Sequence, residues 1–240
     1  MGEVNWQEFW QTYRKTEIQD EKDLYFEVGK TVNQQPICEA SFKLSIELVA
    51  RYLELNSGDK LLELCCGNGL MSLPLASLVS EVYCVDFAPH LIENARRFRQ
   101  ASNINYICAD AVSYVNDLAS NMSYIPSKIL LGDALGYFDP LSLGNILRSA
   151  IRLTENRFIF LATGIPSDEL KWSFYNTPER VKRYEENQRC EGNTNDGLGR
   201  WWRKDELERI GLDLKLCVLV TEQPHTLSNF RMDALFKSKE

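Results

Sequence analysis

The sequence predicts an α/β fold: a mostly parallel sheet with helices on both faces and an antiparallel last strand. Three observations predict it. Short, near-continuous apolar runs alternate with stretches of helical apolar spacing, as strands buried on both faces and their crossover helices require. A glycine loop joins the first run to the helix that follows. The final two runs lie too close together for a crossover helix between them.

The elements follow in order. Residues 37–54 place Ile37, Phe42, Ile46, Leu48, Val49 and Leu53 near helical spacing, and Asn56, Ser57, Gly58 and Asp59 form a turn cluster. Residues 60–65 read as a buried strand running into the glycine loop. Residues 69–80 read as a helix, with Pro74 just past its first turn. Strands are predicted over 81–86, 104–108, 128–131 and 157–163, and helices over 88–100, 111–118 and 139–153. Towards the end, 204–210 read as a helix and 212–221 and 228–237 as strands. Only residues 222–227, with Pro224, separate that pair, so it is predicted to be antiparallel.

The chain has 240 residues, 44% hydrophobic and 25% charged, which excludes a mostly disordered or fibrous protein. One domain is expected over 1–240: an N-terminal cap (1–35), a core (36–164), an insertion after the fifth strand (165–202) and a segment completing the sheet (203–240). A net charge of −7 and a pI near 5.1 lack the broad basic footprint of nucleic-acid or membrane-surface binding, so neither partner is expected. Seven cysteines form no CxxC pair, and His90 and His225 lack zinc spacing. Reduced thiols, no metal and a cytoplasmic location are therefore expected, with Cys65, Cys84, Cys108 and Cys217 as small buried hydrophobes. The first fifteen residues carry charges where a signal peptide is apolar, and Trp6 stands where an acylation signal at Gly2 needs Ser or Thr. The longest uncharged run, 64–80, contains Gly67, Gly69 and Pro74 and does not read as a membrane span.

All five tryptophans fall outside residues 36–164. Residues 1–35 carry Trp6, Phe9, Trp10, Tyr13, Tyr25 and Phe26; residues 165–202 carry Trp172, Phe174, Tyr175, Tyr184, Trp201 and Trp202. Two readings stand side by side: aromatic anchors for peripheral helices, or a lid over the carboxyl edge of the sheet. Residues 191–199 (EGNTNDGLG) read as a mobile loop within the second segment. Arg180, Lys182, Arg183, Arg189 and Arg200 are either a solvated face balanced by nearby glutamates or a site for an anionic acceptor.

The glycine loop reads Gly67-x-Gly69-x-x-Ser72, with Ser72 at the third glycine position of a dinucleotide fingerprint. Charge decides between ligands. Glu63 precedes the loop, Asp86 ends the second strand and Asp110 follows the third, which puts three carboxylates along one crevice of a doubly wound sheet. They would repel a pyrophosphate, and no Lys or Arg in the loop compensates. The same crevice suits a ligand with an ammonium, a sulfonium, ribose hydroxyls and an adenine amine. S-adenosylmethionine is such a ligand. A nicotinamide dehydrogenase is disfavoured by the missing third glycine and by the acid before the loop.

The sequence here resembles the class I S-adenosylmethionine-dependent methyltransferases of small-molecule type. LLELCCGNG looks like their first motif and VYCVDFAPHLIENAR like their second; CADA, the stretch from Asp133 to Phe138, and the segments 200–207 and 231–237 resemble later elements. Glu63 stands for the commoner Asp, and Cys65 for the commoner first glycine. The resemblance implies a Rossmann-like seven-stranded sheet with a helical cap at the N-terminus. It implies that Glu63 faces the methionyl amino group, with Cys65, Gly67, Asn68 and Gly69 forming the loop around the cofactor. Asp86 would accept the ribose hydroxyls beside Phe87, Asp110 and Ala111 would hold adenine, and Leu131 and Gly132 would flank the methionyl part. Tyr25 is the candidate for the cofactor carboxylate.

The implied reaction is in-line displacement of the methyl group by an O, N or C atom of a small metabolite, where positioning and desolvation supply much of the acceleration. If a base acts, Asp133 and Tyr137 are the first candidates, ahead of His90 and His225. Trp10, Tyr175, Arg200 and Trp201 are expected to contact an aromatic or anionic acceptor, in a monomer or homodimer. The competing readings are methylation of RNA or protein, and a catalytically silent cofactor-binding scaffold.

Overall fold

The computed structural model describes residues 5–13, 17–155, 157–189 and 197–239. Most of the predicted loop at 191–199 and the chain start around Gly2 lie outside these residues. The N-terminal cap opens with α1 (Trp6–Thr12), where the Asn5 side chain accepts from the Glu8 N–H at 3.1 Å. A capping box between Asp20 and Asp23 starts α2 (Glu21–Glu27). A small hairpin follows, β1 (Thr31–Val32) and β2 (Gln35–Pro36). It has no counterpart in the sequence prediction, because two-residue strands are too short to show a period. Its turn residues Asn33 and Gln34 both have positive φ, 50° and 61°, as a tight two-residue hairpin loop requires.

The core then alternates: α3 (Glu39–Leu53), β3 (Lys60–Leu64), α4 (Ser72–Ala76), β4 (Glu81–Asp86), α5 (Pro89–Phe98) and β5 (Ile104–Cys108). After these come α6 (Ala111–Asn121), β6 (Lys128–Gly132), α7 (Pro140–Leu153) and β7 (Ile159–Pro166). The remainder is α8 (Lys171–Phe174), α9 (Pro178–Arg189), α10 (Lys204–Asp213), β8 (Leu216–Glu222) and β9 (Arg231–Ser238).

Seven strands form the main sheet in the order β5-β4-β3-β6-β7-β9-β8. The first five are parallel to one another, and β9 lies antiparallel between β7 and β8; its antiparallel pairing with β8 is the one predicted from the short link before it. Strand order reverses between β3 and β6, so a crevice opens beyond their carboxyl ends. Alternation along β3 divides the core. Leu62 and Leu64 join the layer formed with α6, α7 and α10, while Leu61 joins the layer formed with α3, α4 and α5. Glu63 shares the side of Leu61 and is buried there.

Four departures from the sequence reading have local causes. The helix expected over 69–80 shortens to α4, because Gly69 is left-handed (φ 74°) and the chain turns at Ser77 so that the Ser80 N–H reaches the Asp59 carbonyl. The strand expected from 212 starts at Leu216, because α10 runs on to Asp213 and Lys215 turns the chain at φ 60°. The last strand starts at Arg231, after a turn in which the Leu227 and Ser228 N–H groups donate to the Pro224 carbonyl. Cys108 and Cys217 are exposed where burial was expected, because they sit in β5 and β8, the two edge strands. Among the described cysteines, Cys65, Cys66 and Cys84 are the ones that the core takes up wholly or in part. Among the described residues no helix is long and apolar enough to cross a membrane.

The largest fully buried side chain is Trp202, which follows the insertion. Its Nε1–H donates to the Leu135 carbonyl at 2.9 Å, and its backbone N–H to the Pro166 carbonyl at 2.8 Å. It therefore pins the insertion to the ends of β6 and β7. Trp202→Ala is expected to lower stability by about 3–5 kcal/mol through cavity formation and the orphaned carbonyl, read as a fall in denaturant midpoint.

Candidate active site

At the strand-order reversal lies a cavity of about 260 Å³. Its walls come from Glu63 near the end of β3, the loop after it (Cys65, Cys66, Gly67), the ends of β4 and β6, the start of α6, and the N-terminal cap. The sheet brings Glu63, Asp86, Asp110 and Asp133 to this one space although they span 71 positions of sequence (133 − 63 + 1).

Each carboxylate is held differently. Glu63 accepts from the Ser72 hydroxyl at 2.5 Å and lies 3.7 Å from the Cys84 thiol. Burial pushes its pKa up to about 7, against the pull of those hydrogen bonds. Ser72, at the third position of the fingerprint, therefore acts through its hydroxyl on Glu63. Asp86 accepts from the N–H groups of Gly67 and Ala88, each at 2.9 Å, and burial raises its carboxyl above the usual range. Asp110 caps α6, accepting from the Ser113 N–H at 2.9 Å. Asp133, just past β6, ion-pairs with Lys30 and lies 3.5 Å from Arg231. Burial would raise its carboxyl, but these two cations outweigh burial and hold it below the usual range. It is thus a weak proton acceptor near neutral pH. A Cβ on Gly164 would stand 1.8 Å from the Asp133 carboxylate, so only glycine leaves room for it.

The loop itself carries strain. Cys65 adopts φ 57°, a left-handed conformation that costs a non-glycine residue roughly 1–2 kcal/mol. Gly67 faces the cavity, whereas Gly69 does not; a Cβ there would meet the Tyr106 hydroxyl at 2.4 Å. Asn68 also points away. Fully buried, its amide donates to the Leu24 carbonyl at 2.8 Å and to Glu27 at 2.9 Å, so it docks α2 onto the loop.

Of the other predicted cofactor residues, Phe87, Ala111 and Gly132 line the cavity, and Leu131 is buried in the core beside it. Tyr25 lies elsewhere: it packs edge-on against Phe42 at 5.5 Å, in a small cluster with Ile18, Leu24 and Leu70. The cap instead presents Lys30. Past α2, the Gly29 N–H donates to the Phe26 carbonyl and the Lys30 N–H to the Tyr25 carbonyl, a left-handed helix ending that turns Lys30 back to the cavity. Sequence reasoning missed Lys30; the glycine closing an aromatic helix was its one local signal.

Among the acceptor candidates, Trp10 lines the cavity together with Trp6, Tyr137 and Phe138. The Tyr137 hydroxyl donates to the Gly197 carbonyl at 2.8 Å. Tyr175 and Trp201 do not line the cavity; they pack 5.5 Å apart in a separate cluster with Phe174. Arg200 also lies outside it, paired with Glu206 at 2.5 Å above the Trp202 ring. The described part of the insertion thus anchors to the sheet end, and the N-terminal cap supplies the aromatic wall. His90 starts α5 and His225 lies in the turn before β9; neither lines the cavity.

Residues 61–155 match the family model described as a methyltransferase domain. A human relative, tRNA (uracil-5-)-methyltransferase homolog A, is 30% identical over 79 residues, 32% of this chain and 13% of its own length. The chain thus spans only a small part of that relative. An S-adenosylmethionine-dependent methyltransferase from Anabaena variabilis superposes with a TM-score of 0.61 at 14% identity, covering 99% of this chain and 96% of its own. Magnesium protoporphyrin IX methyltransferase from Synechocystis, solved with bound SAH, gives a TM-score of 0.57 at 12% identity, with 96% and 94% covered. Residues 61–155 are thus similar to a methyltransferase domain, and the fold is that of S-adenosylmethionine-dependent methyltransferases of known structure.

Glu63 makes stability depend on pH. Its folded pKa, about 7, lies above the ordinary 4.5, so the folded state holds a proton that the unfolded chain releases between those values. Stability from this group is present at acid pH and lost as pH rises through about 7. Glu63→Gln should remove that loss: its stability relative to wild type should rise by roughly 1–3 kcal/mol from pH 4.5 to 8, measured by urea unfolding at each pH.

Proposed function

We propose that the protein transfers the methyl group of S-adenosylmethionine to a small acceptor. The observation that carries this reading is one cavity lined by Glu63, Asp86, Asp110 and Lys30 beside the loop after β3. This donor set fits the cofactor group by group. Glu63 meets its ammonium, Asp86 its ribose hydroxyls, Asp110 its adenine amine and Lys30 its carboxylate. Lys30 takes the part assigned from sequence to Tyr25, and is the only cationic side chain among the described residues that line the cavity.

When bound, the cofactor supplies a sulfonium methyl carbon, to which the acceptor's lone pair bonds as the carbon–sulfur pair stays on sulfur, leaving S-adenosylhomocysteine and an acceptor proton. The protein's own part is positioning and exclusion of water. The Gly67 N–H, held by Asp86, fixes the loop; Trp6, Trp10 and Tyr137 wall the acceptor end; and Ser72 holds Glu63 towards the ammonium. Asp133 and Tyr137 act here as wall and anchor, since the first stays beside Arg231 when Lys30 serves the cofactor and the hydroxyl of the second is bonded to the insertion.

A second reading, an RNA base as acceptor, is favoured by the name of the human relative. The expectation that nucleic acid is excluded is therefore not carried forward. The net charge of −7, and a cavity wall whose described residues carry one cation, Lys30, favour a small acceptor.

Calorimetric titration with S-adenosylhomocysteine tests the cofactor reading, with NAD as control; binding of NAD alone would overturn it. Asp86→Ala should weaken S-adenosylhomocysteine about 10- to 150-fold while the chain stays folded. Lys30→Ala should weaken it about tenfold and leave adenosine, which has no carboxylate, unchanged. Because the ligand ammonium needs ionised Glu63, binding should release a proton below about pH 7 and tighten as pH rises from 6 to 8. Titration in buffers of different ionisation enthalpy reads that proton directly.

A further inference from the structure

We infer that the acceptor is an organic amine, received against the aromatic corner formed by Trp6, Trp10 and Tyr137 and the carboxylate of Asp133. The inference rests on the methyltransferase reading and adds the acceptor's chemical class.

Charge points to it first. Among the described residues, four carboxylates line the cavity (Glu63, Asp86, Asp110 and Asp133) against Lys30 alone. Three of them are committed to the cofactor's ammonium, ribose and adenine amine. In the structure Asp133 is paired with Lys30; with Lys30 given to the cofactor carboxylate, as the proposed function has it, Asp133 would keep Arg231, at 3.5 Å, and no cation that lines the cavity among the described residues. An anionic acceptor would meet a field of the wrong sign there, whereas an ammonium would find its counter-ion.

Ring geometry points the same way. Trp6 and Tyr137 lie 4.9 Å apart at 49°, and Trp10 and Tyr137 5.4 Å apart at 72°. These rings touch one another at steep angles and form a corner. A flat base needs two near-parallel faces with a gap between them; a compact cation is satisfied by ring faces turned to it from different directions. The corner is built deliberately. Asn5 caps α1, which carries Trp6 and Trp10 one turn apart, and Phe9 braces both at 5.5 and 5.4 Å. On the other side, the hydroxyl of Tyr137 is tied to the Gly197 carbonyl, so its ring is held in place. The bound ammonium would first release one proton to bulk solvent. Its nitrogen lone pair would then form the new carbon–nitrogen bond as the sulfonium carbon–sulfur bond breaks, with the pair of the broken bond staying on the sulfur of the departing S-adenosylhomocysteine.

The test uses the full chain, titrated first with S-adenosylhomocysteine and then, when saturated, with phenethylamine, 2-phenylethanol, phenylacetate and uridine, followed by calorimetry and tryptophan fluorescence. Phenethylamine is expected to bind about tenfold or more tighter than the other three. Trp10→Ala should weaken phenethylamine about fivefold or more, relative to its effect on S-adenosylhomocysteine. If 2-phenylethanol or phenylacetate binds as tightly as phenethylamine, or if phenethylamine does not bind the saturated protein, the amine assignment is overturned. Preference for uridine overturns it in favour of an RNA base. Failure of S-adenosylhomocysteine to bind overturns the cofactor reading as well, which separates the two.

Discussion

The hydrogen bond from the Gly67 N–H to the Asp86 carboxylate, 2.9 Å long, sets the geometry of the whole cavity. It joins the loop after β3 to the end of β4, and the Cys66 N–H continues the junction to the Val85 carbonyl at 3.0 Å. The second Asp86 oxygen accepts from the Ala88 N–H and so sets the start of α5. One buried carboxylate thereby aligns a loop, a strand end and a helix end. A charge-assisted bond of this kind contributes roughly 1.5–3 kcal/mol and is costly to leave half made. The strained Cys65 immediately before it is tolerated because both sides of the loop are held.

Polar contacts attach the N-terminal cap together with the apolar cluster of Ile18, Leu24 and Leu70. Glu27 is buried and accepts from Asn68 and from Asn94 at 2.7 Å, which links α2 to the glycine loop and to α5. Burial raises the Glu27 carboxyl above the usual range, against the pull of both amides. At the other end of the cap, Lys30 reaches Asp133, and Arg231 bridges Asp133 to the Gly164 carbonyl at 2.8 Å. The cavity roof is thus fastened at two places to the sheet end. Both fastenings use residues of the loop after β3 or of the cavity wall, so the cap is tied to the same side chains that shape the cavity.

The sheet was legible because its strands are short apolar runs with an unambiguous period and its crossovers are of helix length. The three acids were legible because each sits at a fixed offset from a strand end, and the sheet puts such ends side by side. Cys108 and Cys217 were misread because an apolar run in an edge strand looks like one in the centre. Tyr175 and Trp201 were misread for a related reason: an aromatic-rich insertion has the same composition whether it covers a cavity or packs on itself.

Fold class and the acids at the strand ends were fixed along the chain, since both follow from local periodicity and from residues adjacent to strand ends, whereas the strand order that opens the crevice belongs to the folded sheet. Tertiary structure alone decided which residues of the cap reach the cavity. Tyr25 and Lys30 lie five positions apart, and only the left-handed ending of α2 at Gly29 turns one away and the other inward. It likewise decided that Asn68 and Gly69, inside the loop motif, serve α2 and Tyr106 and not the cavity. Contacts of this kind join segments tens of residues apart, and no periodicity along the chain records them.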